Sequence, residues 1–375
     1  MASCADESEA ANAMNEQDQA TRTNSATVSP PALREFAAGV LTRLGMAPEN
    51  AVQAAAAIVE SDLSGADGHG IFRLPQYARR MRAGGMDPRA EPRVVADAPA
   101  SALLDGGNGL GHLTLLRAVG LAVEKATVAG AAWIGVRGGN HAGAASTWAA
   151  AMLPHDMIGI YIAVGSANHL APWGGIDQLL STNPIAIAVP AHEEPPVVMD
   201  MATTVAAYGK VKLAAQRGET MPVGWMIDRT GAPITDPTRA EDGLLLPAGG
   251  YKGYALAFMF GLLAGTLNDA AFGADVIDFN KDDTSRTNTG QALLAISLSR
   301  FGDPAAFRRR VDAVVRQMRA SALLPGAEPV RVPGDGRHAC RTARERDGIT
   351  LPAPLLRTLD RLAADVGWPM LPREA

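Results

Sequence analysis

The chain has 375 residues, of which 47% are apolar and 19% charged, and a formal net charge of −5. That length sets an expectation of two domains, and the composition excludes a disordered polymer. The acidic excess argues against nucleic acid as a partner. Two cysteines, Cys4 and Cys340, allow no disulfide framework and no CxxC metal site, a usage that fits a reducing, cytoplasmic setting.

Residues 1–30 carry Asp6, Glu7, Glu9, Glu16 and Asp18 and lack a basic start followed by an apolar run. They read as a disordered tail rather than a signal peptide. From Pro31 to Leu44, Leu33, Phe36, Val40, Leu41 and Leu44 recur at helical spacing, and Ala47–Leu63 repeats the pattern with Pro48 in its first turn. Phe72–Arg82 reads as a third helix, stopped by Gly84-Gly85. Past residue 90 the character changes. Arg93–Val95 and Ser101–Asp105 read as strands, Thr114–Ala129 as an amphipathic helix and Ala132–Arg137 as a strand that delivers Asn140-His141 at its end. A helix over Ala142–Leu153 and strands over Met157–Val164, Ile185–Val189 and Val197–Met199 follow. Gly250–Leu267 reads as a helix, Ala292–Leu298 as a strand, and Pro304–Arg319 and Pro354–Asp365 as helices. The longest apolar run, Gly253–Leu267, is shorter than the roughly 20 residues of a membrane span and is expected to be a buried helix, so no membrane partner is expected. Strands and helices mix without a steady alternation, which predicts an α+β fold rather than a doubly wound sheet.

One stretch carries chemistry of its own: Asp67-Gly68-His69-Gly70, followed by Arg73-Leu74-Pro75. Imidazole titrates near neutral pH and can give or take a proton. A guanidinium four residues on offers a fork that matches a carboxylate. The pair suits a dehydrogenase of small 2-keto or 2-hydroxy acids, although a histidine that merely caps a turn is the plainer reading. Against this stands a missing fingerprint. No strict G-x-G-x-x-G occurs, the nearest miss being Gly107-Asn108-Gly109-Leu110-Gly111-His112. Any nicotinamide cofactor would then be bound outside the usual Rossmann rule. The other histidines show no metal-ligand spacing, and no metal is expected.

Eight segments, in order, resemble the non-Rossmann malate/L-lactate dehydrogenase family, which includes ureidoglycolate and sulfolactate dehydrogenases and reductases of 2,3-diketo-L-gulonate and Δ1-piperideine-2-carboxylate. They are the Asp67–Pro75 stretch, Asn108-Gly109-Leu110-Gly111, Asn140-His141, Ala171-Pro172-Trp173-Gly174-Gly175, Ser181-Thr182-Asn183-Pro184, Asp200-Met201-Ala202-Thr203, Gly249-Gly250-Tyr251-Lys252-Gly253 and Asn288-Thr289-Gly290. Each is weak alone; the ordered set is specific. The resemblance implies a helical domain over 31–92, completed by 340–375, packed on an α+β NAD(P)-binding domain over 93–339. It also implies a homodimer that transfers hydride between NAD or NADP and a small 2-keto/2-hydroxy acid.

Carried over position by position, the resemblance makes His69 the proton donor, or His141 in some relatives. Arg73, Thr182 and Asn183 would bind substrate. Ser166, Asp200, Met201, Ala202, Tyr251, Lys252, Gly334, Asp335 and Gly336 would contact the cofactor. Lys252 opens an apolar helix whose N-terminus favours anions, whereas Asp200 would alternatively orient a histidine, as in triads. Gly334–Gly336 is expected in a loop. Two positions depart from the family pattern: Gly68 stands where serine is typical, and Ala142 where a larger residue is frequent. Other readings are a reductase of a cyclic imino acid, a metal-dependent hydrolase using Asp67-x-His69 and Asn140-His141 as ligands, and a relative that kept the fold and lost its chemistry.

Overall fold

The computed structural model describes residues 25–373. Strand β1 (Ser25–Val28) lies inside the stretch expected as a tail; residues 1–24 of that expectation fall outside the described residues. Helix α1 (Pro30–Arg43) starts where the Ser29 side chain accepts from the Ala32 amide and Pro30 presets φ. Helix α2 (Pro48–Leu63) also opens on proline. Helix α3 (Leu74–Ala83) stops at Gly84, whose φ of 87° suits a residue without a Cβ. Leu33, Phe36 and Val40 of α1, Ile58 and Val59 of α2 and Tyr77 of α3 bury one common apolar cluster.

The chain then builds a mixed sheet. Strands β2 (Arg93–Ala98) and β3 (Ser101–Asp105) form a hairpin, and α4 (Gly111–Ala129) crosses to β4 (Ala131–Gly139), which lies parallel to β3. Next come α5 (Ala145–Ala150), β5 (Met157–Ala163), β6 (Ile185–Val189) and β7 (Val197–Met201). Helix α6 (Tyr208–Arg217) and the short strands β8 (Met226–Ile227), β9 (Pro233–Ile234) and β10 (Leu244–Leu245) make a small lobe with its own core. Helix α7 (Tyr251–Ala264) and strand β11 (Thr289–Ser297) return to the sheet. Helices α8 (Pro304–Arg319) and α9 (Asp335–Asp347), strand β12 (Ile349–Pro352) and helix α10 (Ala353–Val366) complete the chain.

The sheet order is β2-β3-β4-β11-β5-β6-β7, with β3–β4 the parallel pair and the other pairs antiparallel. A doubly wound nucleotide fold needs a run of parallel pairs. This order is α+β, and it agrees with the absent glycine fingerprint. Strand β12 pairs with β1, and Leu356, Leu359 and Leu362 of α10 join the cluster of α1 and α2, so the two ends of the described chain close one helical unit.

Three elements differ from the sequence reading. Helix α7 was expected to be buried, yet Leu256, Phe258, Met259 and Leu263 are exposed. The face it buries is made of Gly253, Ala257, Gly261 and Ala264 at four- and three-residue spacing, and a Cβ on Gly261 would collide with the Phe272 ring. Small residues let that face approach closely, so the large side chains point outward. The helix expected over Ala142–Leu153 is shortened to α5 plus a 3-10 turn, because Gly143 takes a φ of 79°. Gly334–Gly336 is no loop but the start of α9, and the Gly334 backbone sits so close to Val198 on β7 that a Cβ would fall 2.9 Å from its nitrogen. Helix α9 is almost wholly polar, so no apolar period announces it.

Candidate active site

The turn carrying His69 is held from behind. Buried Asp62, on the last turn of α2, accepts a hydrogen bond from the Ile71 amide at 2.8 Å. Its carboxyl fills the space a Cβ on Gly70 would need, 2.1 Å away. Gly70 is therefore a packing requirement. Gly68 is different: a Cβ there would meet nothing within 4 Å, so the place of the missing serine side chain is open beside His69.

The motifs that looked separate converge on the second histidine. Asn140 is fully buried at the end of β4, and its amide donates to Asn108 O at 3.1 Å and Gly109 O at 2.9 Å. Its side-chain oxygen accepts from Thr287 Oγ1. A Cβ on Gly111 would lie 2.0 Å from Asn140 O, so the Asn108–Gly111 turn can wrap this residue only with glycine there. The segment Asn108–Gly111 thus serves as a brace for the loop that presents His141.

His69 Nδ1 and His141 Nε2 lie 3.2 Å apart, with ring planes within 5°. The centroids are 5.4 Å apart, longer than the N···N distance by about two ring radii, so the rings meet edge to edge. On its other side His141 Nδ1 lies 2.7 Å from Tyr77 Oη and 3.3 Å from the Gly143 amide. An amide N–H can only donate, so this Nδ1 accepts and the His141 proton sits on Nε2, directed at His69 Nδ1. That assignment leaves the His69 proton on Nε2, the nitrogen away from His141. Phe279 packs on His141 with centroids 5.7 Å apart. Sequence reasoning missed Tyr77, although its place four residues after Arg73 on a helix puts the two on one face. It also missed Phe279 and Asn280, whose loop is remote in sequence and carries no periodic signal.

His69 is open to solvent on one side, with the His141 ring and the Arg73 charge on the others. Burial, and then the Arg73 charge, hold its pKa down to about 4, while Asp200 pulls the other way. Burial, Arg73, His69 and His112 hold His141 well below the ordinary value. Burial lifts the Tyr77 hydroxyl well above the usual phenol range, so it remains a donor. Arg73 donates from Nε to Gly68 O at 2.8 Å and from Nη1 to Gln76 Oε1 at 2.8 Å and Asn280 Oδ1 at 3.3 Å. Among the described residues Nη2 has no hydrogen-bond partner, which leaves one amino group of the fork free to take a ligand.

The remaining expected residues fall into two groups. Asp200 accepts from the Ser146 amide at 2.8 Å and from its hydroxyl, which Arg337 of α9 also engages. It bonds to neither histidine, so the triad-like orientation is not what the structure displays. Met201 is exposed beside it and Ala202 is half-buried. Asn183 is fully buried, accepts from the Gly165 amide at 3.1 Å and donates to Ala257 O at 2.8 Å, so it braces a loop. Thr182 O accepts from Thr203 N at 2.9 Å, and Ser166 O from Phe279 N at 2.9 Å. Asp335 is engaged by Arg319 at 2.7 Å and by the Val332 amide at 3.0 Å, while Gly336 is exposed.

A nicotinamide dinucleotide needs a place for its phosphates, and α7 offers one. The helix has no side-chain N-cap, it follows two glycines with φ of 67°, and a Cβ on Gly249 would meet nothing within 4 Å. Tyr251 and Lys252 are exposed on its first turn. Free amides, an open glycine approach and a lysine fit a phosphate anion. Among the described residues no group of three or more His, Cys, Asp or Glu is placed to hold a metal ion, which leaves the hydrolase reading without a ligand set.

Residues 28–360 match the family model for malate/L-lactate dehydrogenase. The chain is 35% identical over 339 residues to the malate/(S)-sulfolactate dehydrogenase of Methanothermus fervidus, covering 90% of this chain and 98% of that one. It is 33% identical to the Δ1-pyrroline-2-carboxylate/Δ1-piperideine-2-carboxylate reductase of Pseudomonas syringae pv. tomato, covering 90% and 96%. The sulfolactate dehydrogenase structure from Methanocaldococcus jannaschii superposes with a TM-score of 0.85 at 32% identity, covering 92% of this chain and 98% of that one.

Proposed function

Because the chain belongs to the malate/L-lactate dehydrogenase family, and is thus a nicotinamide-dependent oxidoreductase of the 2-hydroxy acid dehydrogenase type, we propose that His69 is its acid–base group and Arg73 its carboxylate anchor. The observation that carries this is the Tyr77–His141–His69 chain, which leaves one N–H of His69 free of its partner ring, four residues before Arg73, whose charge acts on that ring. The bound cofactor supplies or accepts a hydride at C2 of the acid. In reduction the carbonyl carbon gains that hydride and the oxygen gains a proton from His69 Nε2; oxidation reverses both transfers.

His141 lets that nitrogen change its protonation state. When His69 is doubly protonated, its Nδ1 holds the proton that His141 Nε2 gave up, and His141 Nδ1, facing Tyr77 Oη, holds the one gained from solvent; Tyr77 Oη accepts as readily as it donates. The only hydrogen bond lost is the long one from Gly143. Substrate carboxylate beside Arg73 cancels part of the charge that depresses His69, so proton uptake becomes easier with substrate in place.

For the cofactor, NAD or NADP, we assign Tyr251 and Lys252 at the α7 N-terminus, the Asp200–Ala202 strand end, Ser166 and Gly334–Gly336 at the start of α9. Thr182 is assigned to the substrate, and buried Asn183 to bracing its loop. The exposed apolar residues of α7 are the face we assign to a second copy in a homodimer, since such a stripe is unfavourable in water. A cytoplasmic site of action accords with the cysteine usage, and neither nucleic acid nor membrane is part of this reading. The test is a screen of pyruvate, oxaloacetate, sulfopyruvate, ureidoglycolate and Δ1-piperideine-2-carboxylate with both cofactors. Turnover confined to the cyclic imine, or absent throughout, defeats the proposal.

A further inference from the structure

We propose that Arg80 is a positioning residue for the proton-transferring pair. Its guanidinium, at the far end of α3 from Arg73, holds the loop over 279–285 where Phe279 covers the His141 ring and Asn280 meets Arg73. The inference rests on the reaction proposed above and adds to it a residue that bonds to neither histidine.

Arg79 and Arg82, on either side of it, are exposed, as arginines on a helix usually are; Arg80 is wholly buried. A buried charge is costly unless its donors find acceptors, and the acceptors here are backbone carbonyls. Nη1 donates to Asp282 O, and Nη2 donates to Ser285 O at 2.7 Å and to Gly85 O at 3.0 Å. Nε has no hydrogen-bond partner among the described residues. The guanidinium also lies over the Phe279 ring, 4.9 Å from its centroid. One planar cation thus grips the loop by two carbonyls and a ring, which the point charge of a lysine does less completely.

The loop lies along one stripe of α3. Gln76, Tyr77 and Arg80 follow Arg73 by three, four and seven residues, so the four share a helix face. Arg73 Nη1 donates to Asn280 Oδ1 at 3.3 Å and Gln76 Nε2 to Phe279 O at 2.9 Å, while the Tyr77 and Phe279 ring centroids are 6.4 Å apart. Phe279 in turn packs on His141, with centroids 5.7 Å apart and planes within 22°. Both ends of the loop are tied to the site as well. The Phe279 amide donates to Ser166 O at 2.9 Å, and Thr287 Oγ1 donates to Asn140, the residue before His141. Between those ends the buried grip on the loop is Arg80; Arg79 adds a more exposed ion pair with Asp283. The backbones approach so closely there that a Cβ on Gly85 would fall 2.3 Å from Asp283 O. Gly85→Ala therefore displaces the same loop without removing the guanidinium.

The experiment follows the full-length protein and its Arg80→Met, Arg80→Lys, Gly85→Ala and Arg82→Met variants by steady-state kinetics and by NMR of 13C-labelled histidine. The His141 ring resonance, assigned by its loss in His141→Gln, senses the stacked Phe279 ring whether or not turnover occurs. Arg80→Met and Gly85→Ala should shift that resonance and lower kcat about tenfold, with KM for the acid raised because Arg73 loses Asn280. Arg80→Lys keeps the charge over Phe279 and should fall between them and the parent, while Arg82→Met matches the parent. Arg80→Met combined with Phe279→Leu should be no slower than Phe279→Leu alone, because Arg80 acts through that ring. Losses that multiply in the double variant overturn the inference. So does an Arg80→Met protein that melts earlier yet keeps the parent kcat and His141 resonance; the proposed reaction then still stands. If Arg80→Met does not fold, Gly85→Ala and Arg80→Lys carry the same comparison, and an unmoved resonance in both overturns the inference. A resonance that shifts in a protein turning over no 2-oxo acid supports the placement by Arg80 and overturns the reaction instead.

Discussion

Tyr77 Oη lies 2.7 Å from Nδ1 of His141, and the opposite nitrogen of that ring lies 3.2 Å from His69. The Gly143 amide, which can only donate, fixes the tautomer of His141, and the buried, protonated phenol supplies the shorter hydrogen bond to the same nitrogen. Tyr77→Phe removes the stronger of the two groups on that nitrogen and leaves only the Gly143 amide at 3.3 Å. We expect kcat to fall about tenfold with KM little changed, the usual loss when a positioning hydrogen bond is removed. Steady-state kinetics of the variant, with circular dichroism to verify folding, check this.

His69→Ala should lower turnover by roughly a hundredfold or more in either direction, as loss of a general acid–base group does. His141→Ala should cost less, because it removes the group that sets the tautomer and keeps the one that meets the substrate. The reverse ranking in parallel kinetics would assign proton transfer to His141.

The low pKa of His69, about 4, sets the pH profile. Oxidation of a hydroxy acid needs the neutral ring, so kcat/KM for that direction should be flat through neutral pH and decline only as pH falls toward that value. Arg73 contributes to the depression. Arg73→Met should therefore move the acid limb upward while raising KM for the acid. A limb that stays in place would show that the guanidinium does not act on His69.

Glycines 68 and 70 should respond oppositely. Gly68→Ser enters open space, so we expect stability within about 0.5 kcal/mol of the parent and a changed preference among acids. Gly70→Ala drives a methyl into the hydrogen-bonded Asp62 carboxyl and should cost about 1–3 kcal/mol. Thermal melts of both variants settle the contrast.

Asp62 makes stability depend on pH. Burial, first among its causes, raises its pKa from 3.8 to about 8, against the Ile71 amide that lowers it. The folded state then keeps a proton that the unfolded state has lost. The extra stability is present in full below about pH 4 and declines as pH rises toward 8. Asp62→Asn keeps an acceptor for Ile71 and carries no titrating group, so it should flatten this dependence. Melting temperatures across that range, compared between the two proteins, provide the measurement.

Much of the molecule was legible before any coordinates. The helices at 30–43, 48–63 and 304–319 carry strong apolar periods or proline starts, and the sequence reading came within a residue or two of each. The broken alternation of strands and helices, with no glycine fingerprint, pointed to an α+β sheet, and the ordered motifs pointed to the family. The polar helix 335–347 and the lobe helix 208–217 were not read from the sequence, because the first buries no apolar side chain and the second, among the described residues, only Val211 and Ala214.

The sequence by itself determined which residues could do chemistry: a histidine in a glycine turn, an arginine four residues later and a second histidine after a strand. Only the tertiary structure decided how they act together. It joined the two rings edge to edge, placed Tyr77 behind them, turned Asp200 toward Ser146 and showed Asn183 to be a brace. The reason is physical. Residue type and local spacing set what a side chain can donate or accept, but protonation and direction follow from neighbours 64 and 72 positions apart in the chain, which only the fold brings within hydrogen-bond reach.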